Sequence, residues 1–95
     1  MSRVVLLSAQ VADYGRRLPP ESRRALKQAL RDLRHERGDI SALEGNLSGY
    51  YRLRVGRFRI ILAYRPEGAI ASIFIEERRL VYELFEAQFI KRLKS

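Results

Sequence analysis

Residues 50–65 read YYRLRVGRFRIILAYR, and this stretch decides the fold. On both sides of Gly56 and Arg57, apolar side chains alternate with arginines, which is the period-two pattern of a strand with one buried face. A two-residue connection that contains glycine is typical of a tight β-hairpin. The stretch therefore predicts two antiparallel strands joined by a turn at residues 56 and 57.

A two-residue turn also fixes which residues face each other across the hairpin. The expected cross-strand pairs are Val55 with Phe58, Arg54 with Arg59, Leu53 with Ile60 and Arg52 with Ile61. Partners in an antiparallel pair share one side of the sheet, so these pairs divide between two faces. The face that we expect to pack on helices holds Tyr51, Leu53, Val55, Phe58, Ile60 and Leu62. The other face holds Tyr50, Arg52, Arg54 and Arg59.

The second of these faces is strongly basic. Residues 50–65 contain five arginines, at positions 52, 54, 57, 59 and 65, and no acidic residue. Like charges placed opposite each other destabilise a sheet by up to about 1 kcal/mol, so folding alone gives no reason to pair Arg54 with Arg59. A phosphate bound between the two guanidinium groups supplies a reason. The alternative is that the charges only keep an exposed sheet face soluble.

Two further segments extend the hairpin into a sheet. A Pro-Glu-Gly turn at residues 66–68 leads to a third strand at residues 70–75. Aliphatic and β-branched side chains predict a short N-terminal strand at residues 3–7. We expect an antiparallel sheet that consists of the three-stranded meander and this first strand.

The remaining segments predict helices. Ser8 can cap a first helix that ends near Leu18, and the prolines at positions 19 and 20 then begin a second helix that ends at Gly38-Asp39. Residues 80–93 have the apolar spacing of a closing helix. The expected fold class is α+β, with residues 1–95 forming one small domain. In it, a two-helix hairpin packs on the sheet and a C-terminal helix follows.

The composition limits what such a domain does. The chain has 95 residues, with 19 Lys or Arg, 11 Asp or Glu and a net charge of +8. A count along the sequence gives 16 Arg and 3 Lys, so the excess favours the residue type that binds phosphate in a bidentate way, and a polyanionic partner. With no cysteine and one histidine, we expect no metal and no cofactor. No apolar run is long enough to span a membrane, so we expect a cytoplasmic protein without a membrane partner.

Two motifs resemble the RelE/ParE superfamily of toxins. Residues 43–61 resemble its central signature and residues 77–82 its closing motif, and the order of the predicted elements is similar over nearly the whole chain. The resemblance implies the RelE-like microbial ribonuclease fold and the toxin of a bacterial type II toxin–antitoxin system. For the RelE branch it implies an mRNA endoribonuclease that acts on the ribosome without a metal, by attack of a 2′-hydroxyl on the phosphodiester. The implied partners are a cognate antitoxin, mRNA and ribosomal RNA.

The same resemblance implies which residues are catalytic. They are Arg52, Arg54, Arg59, Arg78 and Tyr82. Arg54, Arg59 and Arg78 match basic or phosphate-binding positions, and Tyr82 matches a tyrosine that takes part in acid–base chemistry or stacks on a base. Arg52 stands where well-known RelE-type enzymes have a lysine that is proposed as the general base. Since an arginine stays protonated in proteins, Arg52 is better suited to stabilise the transition state.

The identity of the general base is therefore open. The two candidates are Glu44, in the loop before the hairpin, and Tyr82, with its phenolate favoured by nearby arginines. Tyr50, Arg57 and Arg65 are expected to bind RNA, Tyr50 by stacking on a base. Two other functions fit the sequence as well. One is a ParE-like inhibitor of DNA gyrase without nuclease activity, and the other is a nucleic-acid-binding module without catalysis.

Overall fold

The computed structural model describes residues 2–77 and 80–90, with the backbone alone at residues 89 and 90. The elements in chain order are β1 Val5–Leu7, α1 Ala9–Arg17, α2 Pro20–Leu33, β2 Asp39–Ala42, β3 Tyr51–Val55, β4 Phe58–Tyr64, β5 Ile70–Glu77 and α3 Val81–Phe85. A 3₁₀ turn at Gly45–Leu47 lies between β2 and β3, and a π-helical turn at Glu86–Ile90 continues α3. The predicted α+β fold class is confirmed.

The strands form one mixed sheet in the order β1-β5-β4-β3-β2. The pairs β2–β3, β3–β4 and β4–β5 are antiparallel, whereas β1 pairs parallel with β5. The expectation that the first strand joins an antiparallel sheet is therefore wrong. The two helices carry the chain from β1 to the far edge, and three reversals then bring β5 back beside β1 in the same direction.

β2 is a strand that the sequence pattern does not predict. The second helix ends at Leu33 instead of Gly38-Asp39, and in the following turn Glu36 has a φ of 55° and Gly38 a φ of 133°. A Cβ at position 38 would lie 2.8 Å from Leu53 Cδ1, so this reversal requires glycine. The sequence Asp-Ile-Ser-Ala has little β propensity of its own. It is a strand because it pairs with β3 over four residues.

The β3–β4 hairpin has the predicted register. The observed pairs are Val55 with Phe58, Arg54 with Arg59, Leu53 with Ile60 and Arg52 with Ile61. Gly56 has a φ of 56° while Arg57 has no positive φ, as in a type II′ turn, whose first position favours glycine. The four predicted pairs are confirmed, and so is the division of the hairpin into two faces.

The helix face of the sheet, which α1 and α2 cover, holds the larger hydrophobic core. Ser8 Oγ accepts a hydrogen bond of 3.1 Å from Val11 N and caps α1 as predicted, and Pro20 begins α2. Leu26 and Leu33 of α2 are buried in this core. The buried hairpin residues in contact with this core are Leu53, Phe58, Ile60 and Leu62.

The opposite face carries a second, smaller core beneath α3. Its buried members are Leu47, Ile61, Phe74, Val81 and Phe85. The sequence pattern suggests a strongly basic face. In the structure, this face is basic over only part of its length. The half near α3 is apolar, and the charged half is the end next to the Gly56-Arg57 turn. Residues 91–93 of the expected closing helix lie outside the described residues.

α1 also covers the edge of β5 beyond its short pairing with β1. Gln10 Nε2 donates to Ile75 O at 2.7 Å, and Gln10 Oε1 accepts from Ile75 N at 2.8 Å. The side-chain amide thus pairs with β5 as a neighbouring strand would. Ser8 Oγ adds a hydrogen bond of 2.6 Å to Ile73 O. These bonds fix the strand that leads to α3.

Candidate functional site

A row of four charged residues crosses the sheet opposite the helix face, close to the hairpin turn. We call it the charged row, and β2, β3, β4 and β5 contribute Asp39, Arg54, Arg59 and Glu76 to it. Asp39 pairs with Arg54, Arg54 with Arg59, and Arg59 with Glu76. The two arginines are thus flanked by acidic residues, although the sequence around them contains none.

Arg54 and Arg52 are the two cations of β3 on this face. Arg54 is exposed and Arg52 is half-buried, and their Cα atoms lie roughly 7 Å apart because they are two residues apart on one strand. Arg52 pairs with Ser41 on one side and on the other with Ile61, which belongs to the second core. Arg52 therefore lies where the charged half of the face meets the apolar half.

Arg59 differs from these two arginines because its side chain is buried, with only 8% of the residue exposed. Its Nη1 donates hydrogen bonds of 2.8 Å to Gly56 O and to Phe58 O. Both carbonyls belong to the hairpin turn and the residue after it, so Arg59 stabilises the turn. The two guanidinium groups that the sequence pairs around a phosphate are therefore not equivalent, since Arg54 faces solvent and Arg59 faces the backbone.

The side chain of Glu76 turns from the charged row toward α1. Its Oε1 accepts hydrogen bonds from Tyr14 OH at 3.0 Å and from Glu77 N at 3.1 Å. Burial and the bond to this carboxylate raise the pKa of Tyr14 to about 12. Tyr14 therefore stays protonated at neutral pH and holds Glu76 at the edge of the sheet.

The predicted tyrosines pack against the second core, and the predicted glutamate lies in a loop. Tyr50 is half-buried and contacts Phe85 edge-on, with the ring centroids 5.0 Å apart. Tyr82 is half-buried on α3 and packs against the same core. Glu44 is exposed in the loop between β2 and the 3₁₀ turn. Both tyrosines thus belong to the apolar half of the face, which borders Arg52.

Comparison with known proteins gives matches among solved structures, whereas no family model and no curated protein sequence matches the chain. A chain of the toxin–antitoxin complex RelBE2 from Mycobacterium tuberculosis matches with a TM-score of 0.72 and 21% identity, over 82% of this chain and 100% of that one. A chain of the archaeal RelE–RelB complex from Pyrococcus horikoshii matches with a TM-score of 0.64 and 26% identity, over 82% and 97%. A double-arginine mutant of the E. coli toxin RelE in the free state matches with a TM-score of 0.70 and 18% identity, over 98% and 99%. The chain has the RelE-like toxin fold.

The other predicted cations that the structure describes in this RelE-like domain, Arg57 and Arg65, lie apart from each other. Arg57 is exposed in the hairpin turn, next to the charged row. Arg65 is exposed in the turn at the other end of β4, with its Nε 3.6 Å from Glu67 Oε1. Because six residues of extended chain separate Arg65 from Arg59, the two lie roughly 20 Å apart and Arg65 does not join the charged row. Arg78 lies outside the described residues.

The sequence pattern does not predict either acidic residue of the charged row, Glu76 or Asp39, and the reason is clearest for Asp39. In the sequence it stands at the end of an expected helix, and only the pairing of β2 with β3 places it opposite Arg54. No short motif marks this position, since four residues of low β propensity cannot be recognised as a strand without their partner. Asp39 could be found only from the fold.

Two features are absent from the described part of the chain. No group of three or more histidine, aspartate or glutamate side chains that could hold a metal ion occurs in residues 2–77 and 80–90. None of the helices described there has the length and apolar character that crossing a membrane requires.

Proposed function

We propose that the protein is the toxin of a type II toxin–antitoxin system, acts in the cytoplasm, and inhibits translation by cleaving mRNA on the ribosome. The observation that carries this proposal is the position of Arg52 and Arg54 on one strand of a well-packed hairpin, on the face that the two long helices leave open. The RelE-like fold and the similarity to chains from toxin–antitoxin complexes support a toxin. The arginine cluster supports RNA as its substrate.

Cleavage of RNA by its own 2′-hydroxyl needs a base, cations that stabilise the charged phosphorane, and an acid for the leaving oxygen. In this proposal Arg52 and Arg54 bind the phosphoryl oxygens, because guanidinium groups stay protonated and donate in a bidentate way. Arg59 keeps the turn in place and adds its charge beside Arg54. Arg78 is proposed as a further phosphate-binding cation from the family resemblance. Tyr82 protonates the leaving 5′-oxygen or stacks on a base.

We place the binding site of the antitoxin at the β1 edge, on the other side of the molecule. β1 is an edge strand of three residues, and Leu6 and Leu7 expose 40% and 48% of their surface. A groove of about 230 Å³ runs beside it, lined by Val5, Leu7, Lys27, Leu30, Arg31 and Arg34. An apolar strip next to cations fits an amphipathic segment with acidic side chains.

The experiment that tests the function uses purified protein and translating ribosomes programmed with a defined mRNA. We expect cleavage of the mRNA and a 2′,3′-cyclic phosphate at the upstream fragment, because the attacking oxygen is the 2′-hydroxyl. mRNA that stays intact in the presence of wild-type protein contradicts the proposal.

A second candidate function is a ParE-like inhibitor of DNA gyrase. The observation that favours it is that the cations of β3 and β4 on this face are arginines, so that no lysine serves as the general base. A supercoiling assay with purified gyrase separates the two targets. A protein that binds RNA with a steep salt dependence but neither cleaves it nor inhibits gyrase would be a binding module.

A further inference from the structure

The proposed cleavage lacks a general base, and the charged row contains an acidic residue that can serve as one. Arg52 and Arg54 hold charge but do not accept protons. A carboxylate is the next best choice at neutral pH. Among the described residues, the candidate carboxylates are Asp39 and Glu76 of the charged row and Glu44 of the loop after β2.

Glu76 is already engaged. Its Oε1 accepts the Tyr14 hydroxyl at 3.0 Å and the Glu77 amide at 3.1 Å, on the α1 side of the β5 edge. A carboxylate that accepts two hydrogen bonds and faces away from Arg54 is a poor acceptor for a substrate proton. Glu76, the acidic neighbour of Arg59 in the charged row, therefore has a structural role.

Glu44 lies at the wrong end of β2. The strand extends from Asp39 to Ala42, roughly 10 Å, and Glu44 follows two residues beyond its far end. Arg54 pairs with Asp39 and so lies at the opposite end of the strand from Glu44. A phosphate bound by Arg54 is thus close to Asp39 and distant from Glu44.

Asp39 has the accessibility that a base requires. It is exposed, and within the described residues no hydrogen bond or ion pair occupies its carboxylate. The charged groups that face it are Arg54 across the strand pair and Arg59 one strand further. These cations place substrate phosphate on the same face of the sheet as the carboxylate.

We propose that the Asp39 carboxylate is the general base that accepts the proton of the attacking 2′-hydroxyl, an inference that rests on the proposed ribonuclease function. The O2′ forms a bond to phosphorus as its proton moves to Asp39, and the P–O5′ bond breaks. The leaving O5′ takes a proton from Tyr82 or from water, Asp39 returns its proton to solvent, and Tyr82, where it is the donor, regains one from solvent. The products are a 2′,3′-cyclic phosphate and a 5′-hydroxyl, and Arg54 balances the charge on the phosphoryl oxygens throughout.

The test compares Asp39→Asn and Asp39→Glu with the matched variant Glu44→Gln, each in the full chain on programmed ribosomes. Under single-turnover conditions we expect Asp39→Asn to cleave at least about 100-fold more slowly than wild type, because general base catalysis contributes about that factor or more. Asp39→Glu should stay within about tenfold of wild type, and Glu44→Gln should cleave at the wild-type rate.

Two further measurements separate a base from a structural residue or an acid. Binding of an RNA with a 2′-deoxy group at the scissile position should be as tight for Asp39→Asn as for wild type, or tighter, because the variant removes a negative charge near phosphate. On a substrate whose 5′-oxygen is replaced by sulfur, which leaves without an acid, the defect of Asp39→Asn should persist. Melting temperatures should match, since the side chain is exposed.

Each outcome has one meaning. If wild type cleaves and Asp39→Asn cleaves equally fast, the assignment of Asp39 is wrong and the ribonuclease function stands. Loss of affinity together with rate, or rescue of the variant by the sulfur substrate, also overturns the assignment. If wild type leaves the mRNA intact, the ribonuclease function itself is wrong, and the assignment of a base to it is wrong as well.

Discussion

Ile60 and Ile61 are neighbours on β4, and both are completely buried, yet they belong to different halves of the molecule. Ile60 packs beneath α1 and α2, which together provide a full layer over the helix face. Ile61 packs beneath α3, a helix of five residues with one π-helical turn after it. Among the residues that the structure describes, one face of the sheet is covered along its length and the other is covered in part.

The partial cover explains where Arg52 and Arg54 lie. A sheet face that is covered along its whole length must be apolar, because buried charges are costly. Where the described part of α3 gives no cover, the strands can carry Arg52 and Arg54 in contact with solvent or ligand without that cost. The helix face thus supplies most of the stability, and the opposite face combines a small core with a site.

The largest effect that tests this contrast is expected from replacing the two isoleucines. Truncation of a buried isoleucine to alanine costs about 2 to 5 kcal/mol, depending on how far the surroundings relax. We expect Ile60→Ala near the upper end of this range, and Ile61→Ala near the lower end, because the short α3 can move into the space. Urea denaturation of both variants measures the difference. An Ile61→Ala variant that is the less stable of the two would show that the helices do not provide most of the stability.

The next largest effect concerns activity, and it compares arginines on the two sides of the sheet. Arg54→Ala should lower mRNA cleavage by about 100-fold or more, as the loss of one donor to a transition-state oxyanion does. Arg31→Ala, an exposed arginine on α2, should change the rate by less than about threefold, since it contributes only to general attraction. Single-turnover cleavage rates at one salt concentration provide the comparison. Equal losses in the two variants would show that general electrostatic attraction, and not a local site, accounts for the role of Arg54.

The sequence predicts the helix face well and the opposite face only in part. The alternation around Gly56 predicts the hairpin register, because a local turn and a period-two pattern determine it. The arginine face depends on one strand pairing that is distant in sequence and on hydrogen bonds to backbone carbonyls. Asp39 pairs with Arg54 through a strand with no pattern of its own, and the Arg59 guanidinium donates to carbonyls of the turn and of the residue after it. A local side-chain pattern shows neither, because the partner strand is remote and every residue type carries a carbonyl.

A smaller effect is expected at the edge where the two faces meet, at Tyr14 and Glu76. The pKa of Tyr14 is about 12 in the folded protein, against an ordinary value of 10.0. The folded state therefore keeps the proton that the unfolded state releases, so this contribution to stability is complete below pH 10 and is lost between about pH 10 and 12. Tyr14→Phe should lose less stability over this interval than wild type. Because burial also raises the pKa of Tyr64, part of the decline should persist in the variant.

Urea unfolding at pH 8, 10 and 11.5 measures this dependence, and Tyr82→Phe is the control that keeps the Tyr14–Glu76 bond. At pH 8, Tyr14→Phe should cost about 1.5 to 3 kcal/mol, the range for a hydrogen bond to a charged group. A decline of the same size in wild type and Tyr14→Phe would show that the bond between the faces does not contribute.

The smallest effects are expected from the two turns at the ends of β4, and they decide how far the RNA-binding surface extends. Arg57 lies 5.1 Å from the centroid of the Phe58 ring, and Arg65 pairs with Glu67 at 3.6 Å. Each exposed contact stabilises the fold by about 1 kcal/mol or less.

Arg57→Ala should nevertheless weaken binding of single-stranded RNA and reduce the slope of log affinity against log salt by about 1, the value for one phosphate contact. Arg65→Ala should leave the slope unchanged because it lies roughly 20 Å away along β4. Fluorescence anisotropy over a KCl series measures both slopes. An equal reduction in the two variants would show that the RNA contacts both ends of β4.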